Sequence, residues 1–306
     1  MKKFITGLLA MVMMLSVLPV HRVKAVEKED RVLVVGAALN EEEISQTKEL
    51  LSIAKEDTIE VHKVTGEDIY RFLNQKDVSD SVMVSSVLVK FNTSDGVRTA
   101  IETPQAITDV KSYQYSNAAI TAGLKDCEVR VASIRPVTGE SALTGIYKAA
   151  EVYGIQLDQD RLIAGNDELE TVQDIEKNNT ENKDFNSEDF SKALTQIKLE
   201  ITNQVDQSSK TEINTGDIVV IINNVLDKYD LNLSEEDINK LAEMLDKYKD
   251  TLNSDNLQEV RDQLEEFGKK TWDLATDAFK KAEEMGLWDK IVNFFRDLIK
   301  SIQDMF

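Results

Sequence analysis

Short apolar runs at the front of this chain give way to helical stripes toward its end, and that order predicts an α+β fold. Residues 31–35 are a compact apolar run closed by Gly36, which reads as a buried strand. Asn40 with Glu43 three residues on marks a helix start of the capping-box type, and Ile44, Thr47, Leu50, Leu51 and Ala54 fall on one helical face. Residues 59–64 predict a second strand, followed at Thr65 and Gly66 by a short helix through Leu73. Residues 82–91 are rich in Val, and with residues 97–102 across the turn Asn92–Gly96 they predict a hairpin. Thr103-Pro104 predicts a helix running to about Ala122, residues 127–134 a fifth strand, and Thr138 the cap of a helix that reaches Val152. The expected order is β-α-β-α-β-β-α-β-α, a mixed sheet with helices over residues 26–163.

Residues 164–187 are almost entirely polar and predict a linker. From there to residue 306 the pattern is helical throughout, with helices expected near 188–206, 215–228, 234–250 and 254–304. A helix–corner–helix unit is used twice: Tyr153-Gly154-Ile155-Gln156-Leu157-Asp158 matches Tyr229-Asp230-Leu231-Asn232-Leu233-Ser234, with Asp158 or Ser234 capping the next helix. Near the end, Leu287, Ile291, Phe294, Phe295, Leu298 and Ile302 recur at three- and four-residue steps with Trp288 beside them, a strong amphipathic stripe. The opposite face balances acids and bases, whereas membrane-surface helices are rich in Lys and Arg. Packing on this protein or on a partner is therefore favoured over a membrane surface.

The first 25 residues read as an address. Lys2 and Lys3 precede an apolar run from Phe4 to about Val20, and Val23-Lys24-Ala25 ends on a small residue. This predicts a secretory signal cleaved after Ala25, leaving a mature chain that begins at Val26 outside the cytoplasm. The run is short against the roughly 20 apolar residues of a spanning helix, and Pro19 interrupts it.

Charge and rare residues then exclude whole function classes. The chain has 56 acidic against 36 basic residues and a formal net charge of −20 at pH 7. Loss of Lys2, Lys3, Arg22 and Lys24 with the leader makes the mature chain more acidic still. Such a surface repels phosphate backbones, so nucleic acid is not an expected partner. Cys127 is the one cysteine, so no intrachain disulfide forms, and alternation puts it on the apolar side of its strand. Past the leader His62 is the only histidine, which excludes zinc sites built from several His and Cys ligands. No Walker pattern, dinucleotide fingerprint or calcium loop is present, so no cofactor or metal is expected.

Two strand-to-helix turns read Val-Thr-Gly-Glu, at residues 64–67 and 137–140. Ligands of open α/β sheets gather at the carboxyl ends of strands, where such turns lie. The second turn adds a serine, so Thr138, Gly139, Glu140 and Ser141 are the candidate ligand-binding residues. Leu287, Trp288, Ile291, Phe294, Phe295, Leu298 and Ile302 are the candidate partner-binding residues. Paired carboxylates can hydrolyse glycosides, but the abundance of acids leaves no pair distinguished in the sequence.

Several strings together resemble a known family. They are Val35-Gly36-Ala37-Ala38-Leu39, Tyr115-Ser116-Asn117-Ala118-Ala119-Ile120-Thr121-Ala122-Gly123, Pro136-Val137-Thr138-Gly139-Glu140-Ser141-Ala142-Leu143 and the Tyr-x-Ile-x-Leu corners. The chain is similar to a family of uncharacterised exported proteins of Gram-positive bacteria, a domain of unknown function. That resemblance implies an exported, envelope-associated setting and carries no catalytic residues. Three readings follow: a non-catalytic envelope protein that binds a cell-wall component or another exported protein, a wall hydrolase using carboxylates, and an amphiphilic surface protein using its last helix. The first is preferred.

Overall fold

The computed structural model describes residues 30–183, 185–207 and 213–274. Residues 1–25, expected as a leader, and the stripe expected from Leu287 to Ile302 lie outside the described residues. Five strands, β1 Arg31–Gly36, β2 Val61–Val64, β3 Ser86–Lys90, β4 Val97–Ile101 and β5 Cys127–Ala132, form one mixed sheet in the order β2-β1-β3-β5-β4. The helices are α1 Glu41–Leu50, α2 Gly66–Leu73, α3 Ser112–Thr121, α4 Ser141–Tyr153, α5 Gln159–Asn178, α6 Ser187–Gln207, α7 Thr215–Lys228, α8 Glu235–Asp250 and α9 Leu257–Leu274. The α+β class with a helical C-terminal region is as the residue pattern predicts.

The period-two alternation of the strands decides the layers. Leu33, Val35, Leu88 and Ala132 face one side and pack with Ile44 of α1 and Leu51 at its C-cap. Val32, Val34, Val87, Val89, Val129 and Val131 face the other side and join α2 to α9 in a single apolar cluster that runs to Phe267. Cys127 is fully buried in that cluster, and burial, aided by Asp126, pushes its thiol up to about 12. It is an inert packing residue.

Local signals translate directly into structure. Asn40 and Thr65 both close capping boxes, with Glu43 and Asp68 as their partners. The repeated corner is real: Gly154 and Asp230 are both left-handed, at φ 93° and 53°, and the amides of Ile155 and Leu231 donate back to Ala150 and Leu226. Asp158 then caps α5 and Ser234 caps α8.

Three expectations are corrected. β3 and β4 do not form a hairpin. β5 lies between them, antiparallel to β3 and parallel to β4. Strands are about 4.8 Å apart, so the six-residue link 91–96 readily crosses one intervening strand. Thr103 does not cap a long helix. Residues 103–111 turn and pair Ile107 with Val137, and the helix begins only at Ser112.

The third correction concerns the stretch expected as a linker, most of which is α5. Leu162, Leu169, Val172 and Ile175 bury one side of it. Its polar residues find distant partners instead of water: Glu168 meets Lys198, Glu176 meets Lys111, and Asn178 and Asn179 both donate to Asp237. Apolar packing is continuous across this segment.

The Lys198–Glu168 pair is the most deeply buried charge in this network, with the two residues 0% and 1% exposed. Lys198 Nζ donates to both Glu168 oxygens at 3.0 and 2.9 Å, to Thr121 Oγ1 at 2.8 Å and to the Asn117 carbonyl at 3.2 Å. It also sits 5.1 Å from the Tyr248 ring centroid. Burial pulls the ammonium below its ordinary value of 10.5, and Glu168 opposes that pull.

Candidate functional site

Both strand directions bring the functional loops to one edge of the sheet. Gly36, Val64, Ile101 and Ala132 end β1, β2, β4 and β5 there, beside Ser86 at the start of β3. From this edge the chain passes β5, pairs through Val137, and reaches α4 across the turn Thr138-Gly139-Glu140. That turn is one wall of a cleft of about 300 Å³. The other wall is Asn166 and Glu170 of α5, and Thr144 of α4 lies between them. Ile69 and Leu73 of α2, with Val78, Val82 and Met83 from the segment before β3, make an apolar side.

The structure places Thr138, Gly139, Glu140 and Ser141 in the lining of one cleft. Thr138, however, is not the helix cap. Glu140 occupies the N-cap position with helical backbone and makes no side-chain cap bond, while the Thr138 hydroxyl donates to the Glu140 carboxylate. Gln173 Nε2 donates to the same carboxylate at 3.3 Å. Gly139 has φ +115°, and its carbonyl accepts the buried Tyr115 hydroxyl at 2.6 Å, which pins the turn to α3.

The cleft is lined by two carboxylates, Glu140 and Glu170, and by hydroxyl and carboxamide groups that both donate and accept. Glu170 accepts from Asn166 Nδ2 at 2.8 Å. Among the described residues neither Glu140 nor Glu170 has an ion-pair partner, and no Lys, Arg or His lines the cleft. Thr144 and Asn166 are 2% and 6% exposed. Among the described residues, the Thr144 hydroxyl and the Asn166 side-chain oxygen have no hydrogen-bond partner. Asn166, Glu170 and Thr144 are absent from the residue-level expectations because two of them sit in the stretch read as linker. The seven-residue step from Leu162 to Leu169, with Val172 and Ile175 beyond it, is the helical signal that its charges mask.

The first Val-Thr-Gly-Glu turn leads to a different arrangement. Lys63, Thr65, Glu67, Asp68, Arg71, Lys148 and Glu151 line an open depression of about 460 Å³. Four of its charges pair with one another, while Lys63 Nζ donates to the Leu39 carbonyl and Glu67 is in no ion pair among the described residues. Arg71 grips Glu151 with both terminal nitrogens and Asp68 at 2.7 Å, and Lys148 reaches Asp68 at 3.0 Å. Burial alone would raise the Asp68 carboxyl, but hydrogen bonds from Arg71, Lys148 and the Thr65 backbone outweigh it and hold the group below its ordinary 3.8.

That carboxyl therefore binds a proton less readily in the folded chain than in the unfolded one. Its stabilising contribution is complete above about pH 3.8 and is lost as the pH falls through the lowered folded value. Burial raises Glu176 and Glu200, whose contributions run the opposite way. Denaturant midpoints measured from about pH 5 to pH 2 are expected to fall less steeply for Asp68→Asn than for the wild-type chain. Parallel curves would show that this cluster adds nothing to acid sensitivity.

A family model described as a protein of unknown function, DUF1002, matches residues 35–267. The uncharacterized protein YpuA of Bacillus subtilis (strain 168) is 24% identical over 309 residues, a span covering 100% of both chains. No solved structure matches. The match takes in the sheet from the end of β1 onward, the cleft and α1 to the middle of α9. Among the described residues no helix is long and apolar enough to cross a membrane, and no three metal-ligating side chains converge.

Proposed function

We propose, for a chain that belongs to the DUF1002 family of proteins of unknown function, the role of an exported binding protein of the cell envelope whose ligand sits in the cleft beside Glu140. One observation carries the reading. The cleft combines an apolar side with the polar side chains of Glu140, Ser141, Thr144, Asn166 and Glu170, at the sheet edge where open α/β folds take ligands. The leader pattern of residues 1–25 supports the location.

Binding without catalysis is preferred because the lining lacks the histidine, cysteine or lysine that would activate a nucleophile. A carboxylate hydrolase is the second reading, favoured only by the presence of Glu140 and Glu170 in the lining of one cleft. Mature protein beginning at Val26 is expected to cosediment with purified cell wall and to release no fragments detectable by mass spectrometry. Ser141→Trp, which places an indole in the cleft mouth, is expected to remove most of the bound fraction while the unfolding midpoint stays close to wild type. New muropeptides or glycans would move the assignment to the hydrolase. Wall binding unchanged in Ser141→Trp would reject the cleft as the site.

A further inference from the structure

We infer that the junction of α3, α5 and α6 is an internal water site, where about one or two bound water molecules join the polar face of α6 to α3 and α5. The inference stands apart from the cleft and from the binding reading. Five of the seven buried side-chain atoms that make no hydrogen bond among the described residues lie at this junction. They are Tyr113 Oη, Gln114 Nε2 and Asn117 Nδ2 on α3, Glu176 Oε1 on α5 and Ser191 Oγ on α6. Gln114, Asn117 and Ser191 are all more than nine-tenths buried. Tyr113, Gln114 and Asn117 line a narrow enclosed gap with Glu168, Leu169 and Val172 of α5 and Leu194 of α6. Buried polar groups are ordinarily paired, so a concentration of unpaired ones on facing helices points to a bound molecule between them.

Both ends of the junction are tied. At one end Lys111 Nζ reaches Glu176 Oε2 at 2.6 Å and Ser187 Oγ at 2.5 Å. At the other, Lys198 donates to Glu168, Thr121 and the Asn117 carbonyl. Between these ends the bonding is incomplete. Thr195 Oγ1 lies 2.9 Å from the Ser191 carbonyl and 3.5 Å from Asn117 Oδ1, and its one proton serves the nearer acceptor. Both ends of the Asn117 carboxamide are therefore open, whichever way it is turned. Gln114 has no such freedom. Its Oε1 accepts the Lys111 amide at 2.7 Å, which leaves Nε2 as the unpaired donor.

The mixture of groups selects the occupant. The Gln114 and Asn117 nitrogens only donate, Glu176 Oε1 and Asn117 Oδ1 only accept, and the Tyr113 and Ser191 hydroxyls do either. A cation would leave the donors unmet. An anion would leave the acceptors unmet and would lie beside Glu168 and Glu176, whose partners Lys198 and Lys111 are already committed to them. Water is the smallest molecule that supplies two donors and two acceptors, and a buried water makes about three hydrogen bonds.

A high-resolution crystal structure of the protein beginning at Val26 tests the occupant, and oxygen-17 relaxation dispersion tests its residence in solution. Density for water is expected within hydrogen-bonding distance of Asn117 Nδ2 and Gln114 Nε2. Asn117→Leu, close in shape but without either polar end, is expected to lower the number of long-lived waters by about one or two. A dry junction in which these side chains turn to pair with one another would overturn the inference, as would an unchanged water count in Asn117→Leu. A chloride peak there, with chlorine-35 line broadening that Asn117→Leu removes, would also overturn it and assign an anion site. The crystal structure needs no variant, so a folding failure of Asn117→Leu leaves the test decisive.

Discussion

Lys198→Met is expected to destabilise the protein by about 3–5 kcal/mol, the usual loss when one partner of a buried ion pair is removed. The reason lies with the group left behind. Glu168 is 1% exposed and would keep a carboxylate in the core with only the Thr121 hydroxyl as donor. Without the ammonium it must either remain charged without compensation or take up a proton at a strongly raised pKa. Met matches the unbranched stem of Lys198, so packing against Tyr248 survives and the measured loss reports the charge. Adding Glu168→Leu in the same chain is expected to restore most of the stability, because the ionic pair is then replaced by apolar groups in an apolar setting. Urea midpoints of the two single variants and the double variant check this. A double variant no more stable than Lys198→Met would show that the pair stabilises through geometry that Met and Leu cannot supply.

Gly139→Ala is expected to destabilise the protein by about 2–4 kcal/mol and to distort the cleft wall. Two independent effects add at this position. The backbone at φ +115° lies where a Cβ is strained in any surroundings. The new methyl would also meet Tyr115 Oη at 2.7 Å and Ile107 Cγ2 at 2.8 Å. Tyr115 is fully buried, so it has no space into which to retreat, and its hydrogen bond to the Gly139 carbonyl would be disturbed. Thermal or urea unfolding gives the size of the effect. A loss below about 1 kcal/mol would mean that the turn relaxes freely and that its shape is not fixed by packing.

What was legible in the residues was local. Asn40 with Glu43 and Thr65 with Asp68 announce helix starts because the capping partners lie three positions apart. The left-handed corners at Gly154 and Asp230 repeat because one short string sets both geometries. Strand order was not legible. That β5 sits between β3 and β4 depends on pairing between Val89 and Val129 and between Thr99 and Val129, residues far apart in the chain.

The helix α5 was hidden for a related reason. Its acids look solvated in composition, yet Glu168 and Glu176 are matched by Lys198 and Lys111 from other elements. The cleft was accordingly half visible. The wall from Thr138 to Ser141 showed itself as turn chemistry, though Thr138 bonds to Glu140 and caps nothing. The facing wall of Asn166 and Glu170 was lost with its helix.

The central claim is that this cleft is where the protein meets its ligand. Amide chemical-shift mapping of ¹⁵N-labelled protein beginning at Val26, titrated with solubilised cell-wall fragments, tests it most directly. The account predicts saturable shifts at the amides of residues 138–144 and 166–170, absent in Ser141→Trp. Saturable shifts confined to other surfaces, with the cleft amides unmoved, would contradict it.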